Sequence, residues 1–435
     1  MRLIDRDILH KIEPFINRDE FISITGPRQS GKTTFLEILK NHLVKKFKID
    51  KGAIKIITFE DRRLLMEFDK DPLAFIRSFL SAGRFKKSYI LIDEFQYAEK
   101  GGQKLKFIFD TLKGVKIIVT GSSSLDIKAN VGKFMVGRMV NFSLHPFNFR
   151  EYLRAHNKRL EEIYNTNNYK VINATLGRKK IGIKKGEDLF YQEFISLYEK
   201  FVIWGGYPVS VLTENIEQRK KLLGDIYNNY ILKDIKTLLE LATERNLFLL
   251  SQYLATQIGS VVVYYNLGQA SGLDYRNVKK HLRILEETFI CKEVRPFFRN
   301  PQKELSKNPK IYFIDTGFRN TLLENTNSLE KRSDAGFLIE NACFIRLNEF
   351  LGEANKINFW RTKAGAEVDF VLHTEDGVLP IEIKYSEFKK ERLSKSLSSF
   401  IDSFNPKNAL VLTKNYWSEA KKDNTRILFA PLYYL

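Results

Sequence analysis

The chain has 435 residues, 43% of them hydrophobic, which is enough for several domains with real cores. No run reaches the roughly 18 apolar residues of a membrane helix, and Met1-Arg2-Leu3-Ile4-Asp5-Arg6-Asp7 lacks an apolar signal core, so a cytoplasmic chain with no membrane partner is expected. The formal net charge of +19 favours a polyanionic partner, nucleic acid and specifically DNA, unless the lysines only solvate the surface; Cys291 and Cys343 lack zinc-knuckle or disulfide-scaffold spacing and read as reduced core thiols.

In chain order, Glu20–Thr25 alternates like a short strand, and Phe35–Lys40 has helical spacing. Between them Gly26, Gly31, Lys32 and Thr33 complete the pattern G-x-x-x-x-G-K-[ST]. Glycines let such a loop curl its N–H groups onto phosphate oxygens, and the following helix presents its positive end to the same anions. Gly26, Pro27, Arg28, Gln29, Ser30, Gly31, Lys32, Thr33 and Thr34 are therefore the expected nucleotide cradle. Lys32 is expected on the β- and γ-phosphates and the Thr33 hydroxyl on Mg²⁺.

Ile54–Asp61 reads as a strand, and Ser88–Glu94 as a buried parallel strand ending in two carboxylates. Asp93 is expected to hold Mg²⁺ and Glu94 to polarise the attacking water. A further apolar strand from Val115 ends in Thr120-Gly121-Ser122-Ser123-Ser124. There Thr120 or Ser122 either meets the γ-phosphate or only caps a turn. Gly137-Arg138 is expected near the ligand edge of the sheet, with Arg138 neutralising phosphoryl charge within its own chain or on a neighbouring subunit, or serving as a plain surface arginine. Strands alternating with helices predict an α/β domain with a parallel sheet.

From Phe149 to Leu250 the pattern is mostly helical, including Asp188–Val202 and a long helix over Glu217–Leu239, broken by Trp204-Gly205-Gly206-Tyr207-Pro208. Arg178-Lys179-Lys180 and Lys184-Lys185 read as a basic hairpin or a solvated loop. Leu267–Leu273 predicts a short helix and tight turn, Asp274 an N-cap, and Tyr275–Leu285 an amphipathic helix. Val278, Leu282 and Leu285 of that helix face inward, and Arg276, Asn277, Lys280 and Arg283 face out. Strands at Phe289–Arg295 and Lys310–Ile314 then predict a wing, with Lys303, Lys307 and Lys310 as its basic residues. A helix-turn-helix of this kind either enters a DNA groove or serves as a protein-interaction module.

The last hundred residues hold a second constellation. Asp369 lies on one strand of a hairpin, and Glu382 and Lys384 lie two apart on the other, so they share a face. Two carboxylates and a lysine there can hold Mg²⁺ and position a water for phosphodiester hydrolysis. Glu340, among apolar neighbours at a helix start, calls for a metal or a basic partner. Such a quartet can also persist as a charged cluster beside Arg361 or Lys363.

Gly26–Thr34, Leu91-Ile92-Asp93-Glu94-Phe95-Gln96, Thr120–Ser124, Gly137-Arg138 and His145-Pro146-Phe147-Asn148-Phe149-Arg150-Glu151-Tyr152 together resemble the AAA+ ATPases common in archaea and bacteria. The resemblance implies an ATP-binding AAA+ core, with Lys32 and Thr33 as Walker A, Asp93 and Glu94 as Walker B, and sensor residues near Ser122. Gly205-Gly206-Tyr207-Pro208 is similar to a lid segment of the same family. Glu340, Asp369, Glu382 and Lys384 resemble the pattern of PD-(D/E)xK nucleases, whose fold follows the winged helix in that family. The implied organisation is a P-loop AAA+ core at 1–150, a helical lid at 151–248, a winged helix at 249–325 and an α/β restriction-endonuclease-like domain at 326–435. The choice of ATP over GTP rests on the resemblance, since no Asn-Lys-x-Asp motif occurs. The function implied is Mg²⁺-dependent ATP hydrolysis driving a conformational change on a nucleic acid, in a chain able to form a homo-oligomer. The C-terminal domain is either a metal-dependent nuclease or an inactive protein-interaction module.

Overall fold

The computed structural model describes residues 3–80, 85–122, 132–176, 182–228, 244–351, 356–375 and 377–435. Ser123, Ser124, the basic Arg178-Lys179-Lys180 stretch and the second half of the expected Glu217–Leu239 helix lie outside them; Ile216–Tyr227 is helical. The chain divides into two compact units. One comprises 1–147 with 287–290, the other 148–286 with 291–435. Among the described residues no helix is long and apolar enough to cross a membrane.

The first unit is built on β1 (Phe21–Thr25), β2 (Ile54–Thr58), β3 (Ser88–Asp93), β4 (Val115–Gly121) and β5 (Met139–Ser143). The order is β2-β3-β4-β1-β5, all parallel. β1, β3 and β4 are buried along their whole length, which explains their near-continuous apolar runs: a parallel sheet is covered on both faces. Alternate residues serve the two faces. Ile22, Ile24, Leu91 and Ile118 pack with Leu36 and Leu39 of the helix Lys32–Phe47. Phe21, Ile90, Ile92, Ile117 and Val119 pack with Phe59, Phe68, Phe75 and Phe95 on the other side. Lys116 interrupts the β4 run, yet it is fully buried. Its Nζ donates to the carbonyls of Phe15 (2.7 Å), Arg18 (3.1 Å) and Glu20, so the ammonium is satisfied by backbone at the amino end of the sheet.

The second unit carries β6 (Gly186–Glu187), β7 (Cys291–Pro296), β8 (Lys310–Phe313), β9 (Ile357–Arg361), β10 (Glu367–Thr374), β11 (Gly377–Ile383), β12 (Asn408–Thr413), β13 (Tyr416–Lys422) and β14 (Thr425–Pro431). They form one sheet in the order β6-β13-β14-β12-β11-β10-β9-β7-β8. The β10–β11 hairpin is antiparallel, while β11, β12 and β14 run parallel. Leu397, Phe400 and Ile401 of the helix Lys395–Phe404 cover Trp360, Val368, Val371 and Phe429 on one face. In the helix Ala335–Leu351, Phe344 stacks on Tyr312 of β8 at 4.7 Å.

This topology corrects the expected wing. β7 and β8 do pair antiparallel, but β7 also pairs parallel with β9 through Arg295 and Pro296. The hairpin is thus the edge of the C-terminal sheet, and the expected boundary near residue 325 falls between elements of one unit. Two short helices joined by a tight turn do precede it. Tyr264–Ser271 ends at Gly272 in the left-handed conformation, Asp274 caps the backbone N–H groups of Arg276 and Asn277, and Tyr275–Glu287 follows.

Candidate functional site

The loop leaves the carboxyl end of β1 and enters the helix Lys32–Phe47 through Gly31, whose φ is +91°. Gly26 admits no side chain, because a Cβ there would lie 2.1 Å from the carbonyl oxygen of Leu144. Pro27, Ser30 and Lys32 are buried, and Arg28 and Gln29 stand exposed at the crest. Thr34 is half-buried in the first helical turn. Lys32 Nζ donates to the carbonyls of Gly26 (3.0 Å) and Pro27 (2.9 Å), folding the loop onto its own lysine.

Asp93 ends β3 beside this loop. The Thr33 hydroxyl donates to its Oδ2 at 2.5 Å, and Thr120 on β4 donates to its Oδ1. Thr120 is fully buried and its hydroxyl is directed at Asp93. Thr33 and Asp93 fit a magnesium ion, since a helix-start hydroxyl and a strand-end carboxylate already meet at the mouth of the phosphate loop, where phosphate oxygens would complete the oxygen ligands.

Glu94 sits at φ +55°, ψ +42°, a left-handed conformation unusual outside glycine. The Gln96 side-chain amide donates to its Oε2 and, at 3.3 Å, to Ser122 Oγ at the end of β4. Glu94 and Ser122 therefore share one intermediary. Gln96 appeared in the sequence only as part of a motif, with no role of its own.

Arg6 carried no signal at all, yet it is buried against the loop. Its Nη1 donates to the Ser30 carbonyl at 3.0 Å and its Nη2 to the His145 carbonyl at 2.6 Å, with the guanidinium 4.6 Å from the Phe147 ring centre. It ties the phosphate loop to the chain that follows β5.

Arg138 requires a correction. It precedes Met139, which pairs with Phe21, the first residue of β1, and the Arg138 carbonyl accepts the Phe21 N–H. It therefore stands at the amino end of a parallel sheet whose carboxyl end bears the loop. A five-residue strand separates the two by roughly 13–17 Å. Its Nε pairs with Asp110 at 3.0 Å. Within its own chain it does not front the nucleotide.

Burial lowers the Lys32 ammonium to about 8, against the opposing pull of Glu94 and Asp93. Below that pH the free chain already carries the charge that phosphates need. Above it, binding must return a proton to the lysine, so ATP affinity should fall by up to about tenfold per pH unit. Calorimetric titration with ATP through and above pH 8 reads this directly, as a rising Kd with proton uptake; a Kd flat across that range contradicts it.

In the second unit, the helix Tyr275–Glu287 buries Val278, His281, Leu282 and Leu285 and exposes Arg276, Asn277, Lys279, Lys280 and Arg283. Lys279 also lies over the Tyr275 ring at 4.5 Å. Lys303 and Lys307 are exposed, but Lys310 is 1% exposed and serves no outer surface.

The C-terminal quartet is brought to one region. Lys384 Nζ pairs with Glu382 Oε1 at 2.9 Å, and the Ile383 N–H donates to Asp369 Oδ2 at 2.6 Å. Glu382 Oε2 is buried without a partner. Burial and the neighbouring Glu340 charge push the Asp369 carboxyl up to about 8. Glu340, however, already has its basic partner: Oε1 accepts from Lys310 Nζ at 3.1 Å and from the Tyr312 hydroxyl. The same ammonium reaches Glu367 at 2.5 Å. Among the described residues no group of three or more His, Cys, Asp or Glu side chains is arranged to hold a metal ion. Of the expected metal set Glu340, Asp369 and Glu382, Glu340 is thus already paired with the Lys310 ammonium.

Residues 18–153 match the family model described as AAA domain, residues 195–329 a domain of unknown function (DUF8612), and residues 335–433 another (DUF4143). An uncharacterized protein of Haemophilus influenzae is 21% identical over 97% of this chain and 96% of its own length. An uncharacterized protein of Methanocaldococcus jannaschii is 24% identical over 92% and 82%. Among solved structures, the Aeropyrum pernix ORC2 protein in its ADP form overlaps with a TM-score of 0.33 at 10% identity, covering 75% of this chain and 96% of that one. The Aeropyrum pernix ORC1 protein in complex with DNA gives 0.31 at 12% identity, covering 74% and 94%. Overlaps that slight carry no weight. The segment that matches the AAA domain model, residues 18–153, holds the five-stranded parallel core and its phosphate loop.

Proposed function

We propose that this chain hydrolyses ATP with Mg²⁺ and uses the nucleotide state to act on a nucleic acid. The observation that carries the proposal is the convergence of Lys32, Thr33, Asp93 and Glu94 at the carboxyl ends of β1 and β3, the two strands that flank β4, with Thr120 of β4 holding Asp93. Lys32 would leave the Gly26 and Pro27 carbonyls for the β- and γ-phosphates. Thr33 and Asp93 would hold the magnesium ion, which neutralises charge on the phosphates when bound. Glu94 would orient the water in line with the γ-phosphate, released to do so by Gln96, while Ser122 reports on the same region. Arg138 would reach a nucleotide only on a neighbouring copy. Phosphate release from ATP by the purified chain, absent from Lys32→Ala, tests the hydrolytic part.

The nucleic-acid part rests on the basic face of Tyr275–Glu287 and on the net charge. Reversing Arg276, Lys280 and Arg283 to Glu should weaken binding to duplex DNA by about 10- to 100-fold and flatten its salt dependence, because phosphate contacts release counterions. Fluorescence anisotropy at several salt concentrations measures both. Unchanged affinity and slope would favour a second reading, a nucleotide-operated switch whose C-terminal sheet docks a protein. That reading draws support from Lys310, whose ammonium pairs with Glu340, one of the would-be metal ligands.

A further inference from the structure

We infer that Lys310 is the resident cation of the acidic C-terminal cluster, so that this nuclease-like site works without a divalent metal and cleaves no phosphodiester. The inference is independent of ATP hydrolysis.

The lysine is built in. It starts β8, next to β7 at the edge of the sheet, and only 1% of it is exposed. Its ammonium lies 3.1 Å from Glu340 Oε1, 2.5 Å from Glu367 Oε1 and 5.3 Å from the centre of the Phe359 ring. Tyr312, two residues along the same strand, adds a hydroxyl to the same Glu340 oxygen. The oxygen that a nuclease would turn toward its metal is thus filled by two donors from β8. A buried ammonium cannot be shed cheaply, because its loss would leave the buried Glu340 without its cationic partner.

The other carboxylates are partly provided for, with Glu382 Oε2 left unpaired. Arg361 Nε stands 3.6 Å from Glu367 Oε2, Lys384 holds Glu382, and a backbone N–H holds Asp369. A divalent ion held by Glu340 would meet the Lys310 ammonium at close range. The spacing Asp369, Glu382, Lys384 is that of a nuclease; the residue that cancels it lies about sixty positions upstream, on a different hairpin.

The test uses the full nucleotide-free chain carrying Thr33→Ala, which removes one of the two metal ligands at the phosphate loop, so that only Mn²⁺ binding sensitive to Glu340 or Glu382 counts. Its Mn²⁺ binding is followed by loss of the free-ion paramagnetic resonance signal and by thermal unfolding with Mn²⁺ or chelator. This chain should bind no Mn²⁺ at the cluster, and neither Glu340→Gln nor Glu382→Gln should alter its weak background. Adding Lys310→Met should create a site: Mn²⁺ affinity should rise roughly tenfold or more, Tm should recover in Mn²⁺ but not in chelator, and a further Glu340→Gln should abolish both. The inference is overturned if the Thr33→Ala chain binds Mn²⁺ in a way lost with Glu340→Gln or Glu382→Gln. A folded Lys310→Met chain that gains no Mn²⁺ affinity also overturns it. Should Lys310→Met fail to fold, the titration of the Thr33→Ala chain, with all core lysines intact, still decides.

Discussion

Glu94→Gln is expected to bind ATP nearly as well as the parent and to hydrolyse it slower by about a hundred- to a thousandfold. The substitution keeps the side-chain shape and one acceptor oxygen but removes the charge that orients the attacking water. Phosphate binding rests on other residues: Lys32 and the loop N–H groups hold the anion, and Thr33 and Asp93 meet at 2.5 Å without help from Glu94. Lys32→Ala should instead lose both binding and turnover, because it removes the buried cation that the loop curls around. The two variants therefore separate in a paired measurement of ATP affinity and single-turnover hydrolysis. Equal loss of affinity in both would mean that Glu94 holds nucleotide or metal rather than water. Gln96→Ala gives a finer reading. Gln96 joins Glu94 to Ser122, so its loss should shift kcat while leaving ATP affinity in place.

Local spacing made the phosphate loop legible before any fold was known. A strand, two glycines, Lys32, Thr33 and a helix start occupy fifteen consecutive residues or so, and their chemistry follows from backbone geometry alone. Asp93 was legible for a similar reason, as four apolar residues followed by a carboxylate mark the end of a buried parallel strand. Arg138 was misplaced because its position depends on strand polarity. Met139–Ser143 is only partly buried and gives a weak sequence signal, and without that strand nothing says whether Arg138 opens it or closes it. Lys310 was misread for a less local reason. A lysine at the start of a short strand reads as exposed, and only the sheet order, with β7 joined to β9 some sixty residues later, buries it against Glu340 and Glu367. Arg6 and Lys116 share that limit. Each satisfies carbonyls far away in sequence, and no motif records such a debt.

Gly205→Ala is expected to destabilise the second unit by about 3–5 kcal/mol, and Asp315→Ala by a similar amount. Gly205 closes the helix Tyr191–Trp204 at φ +71°, ψ −172°, a region open almost solely to glycine. A Cβ there would lie 2.2 Å from Asp315 Oδ1 and 2.6 Å from Oδ2. The closeness has a purpose, since Asp315 Oδ2 accepts the Gly206 N–H and Oδ1 the Phe318 N–H, both at 2.7 Å. Burial pushes the Asp315 carboxyl up to about 6, opposed by those N–H groups, so at neutral pH it remains mostly the anion that can serve both. The two segments approach from the other side as well: a Cβ on Gly317 would lie 2.1 Å from the Trp204 carbonyl. Asp315→Ala strands two buried N–H donors, and Gly205→Ala drives a methyl into a carboxylate. The combination is more informative than either alone. With Asp315 truncated, the methyl at 205 no longer meets an oxygen, so the double variant should be less destabilised than the two single losses added together, by at least about 1 kcal/mol. Urea unfolding of the four chains measures that coupling. Strict additivity would mean that Gly205 is required by its backbone angles alone and that the interlock with Asp315 does not determine its identity.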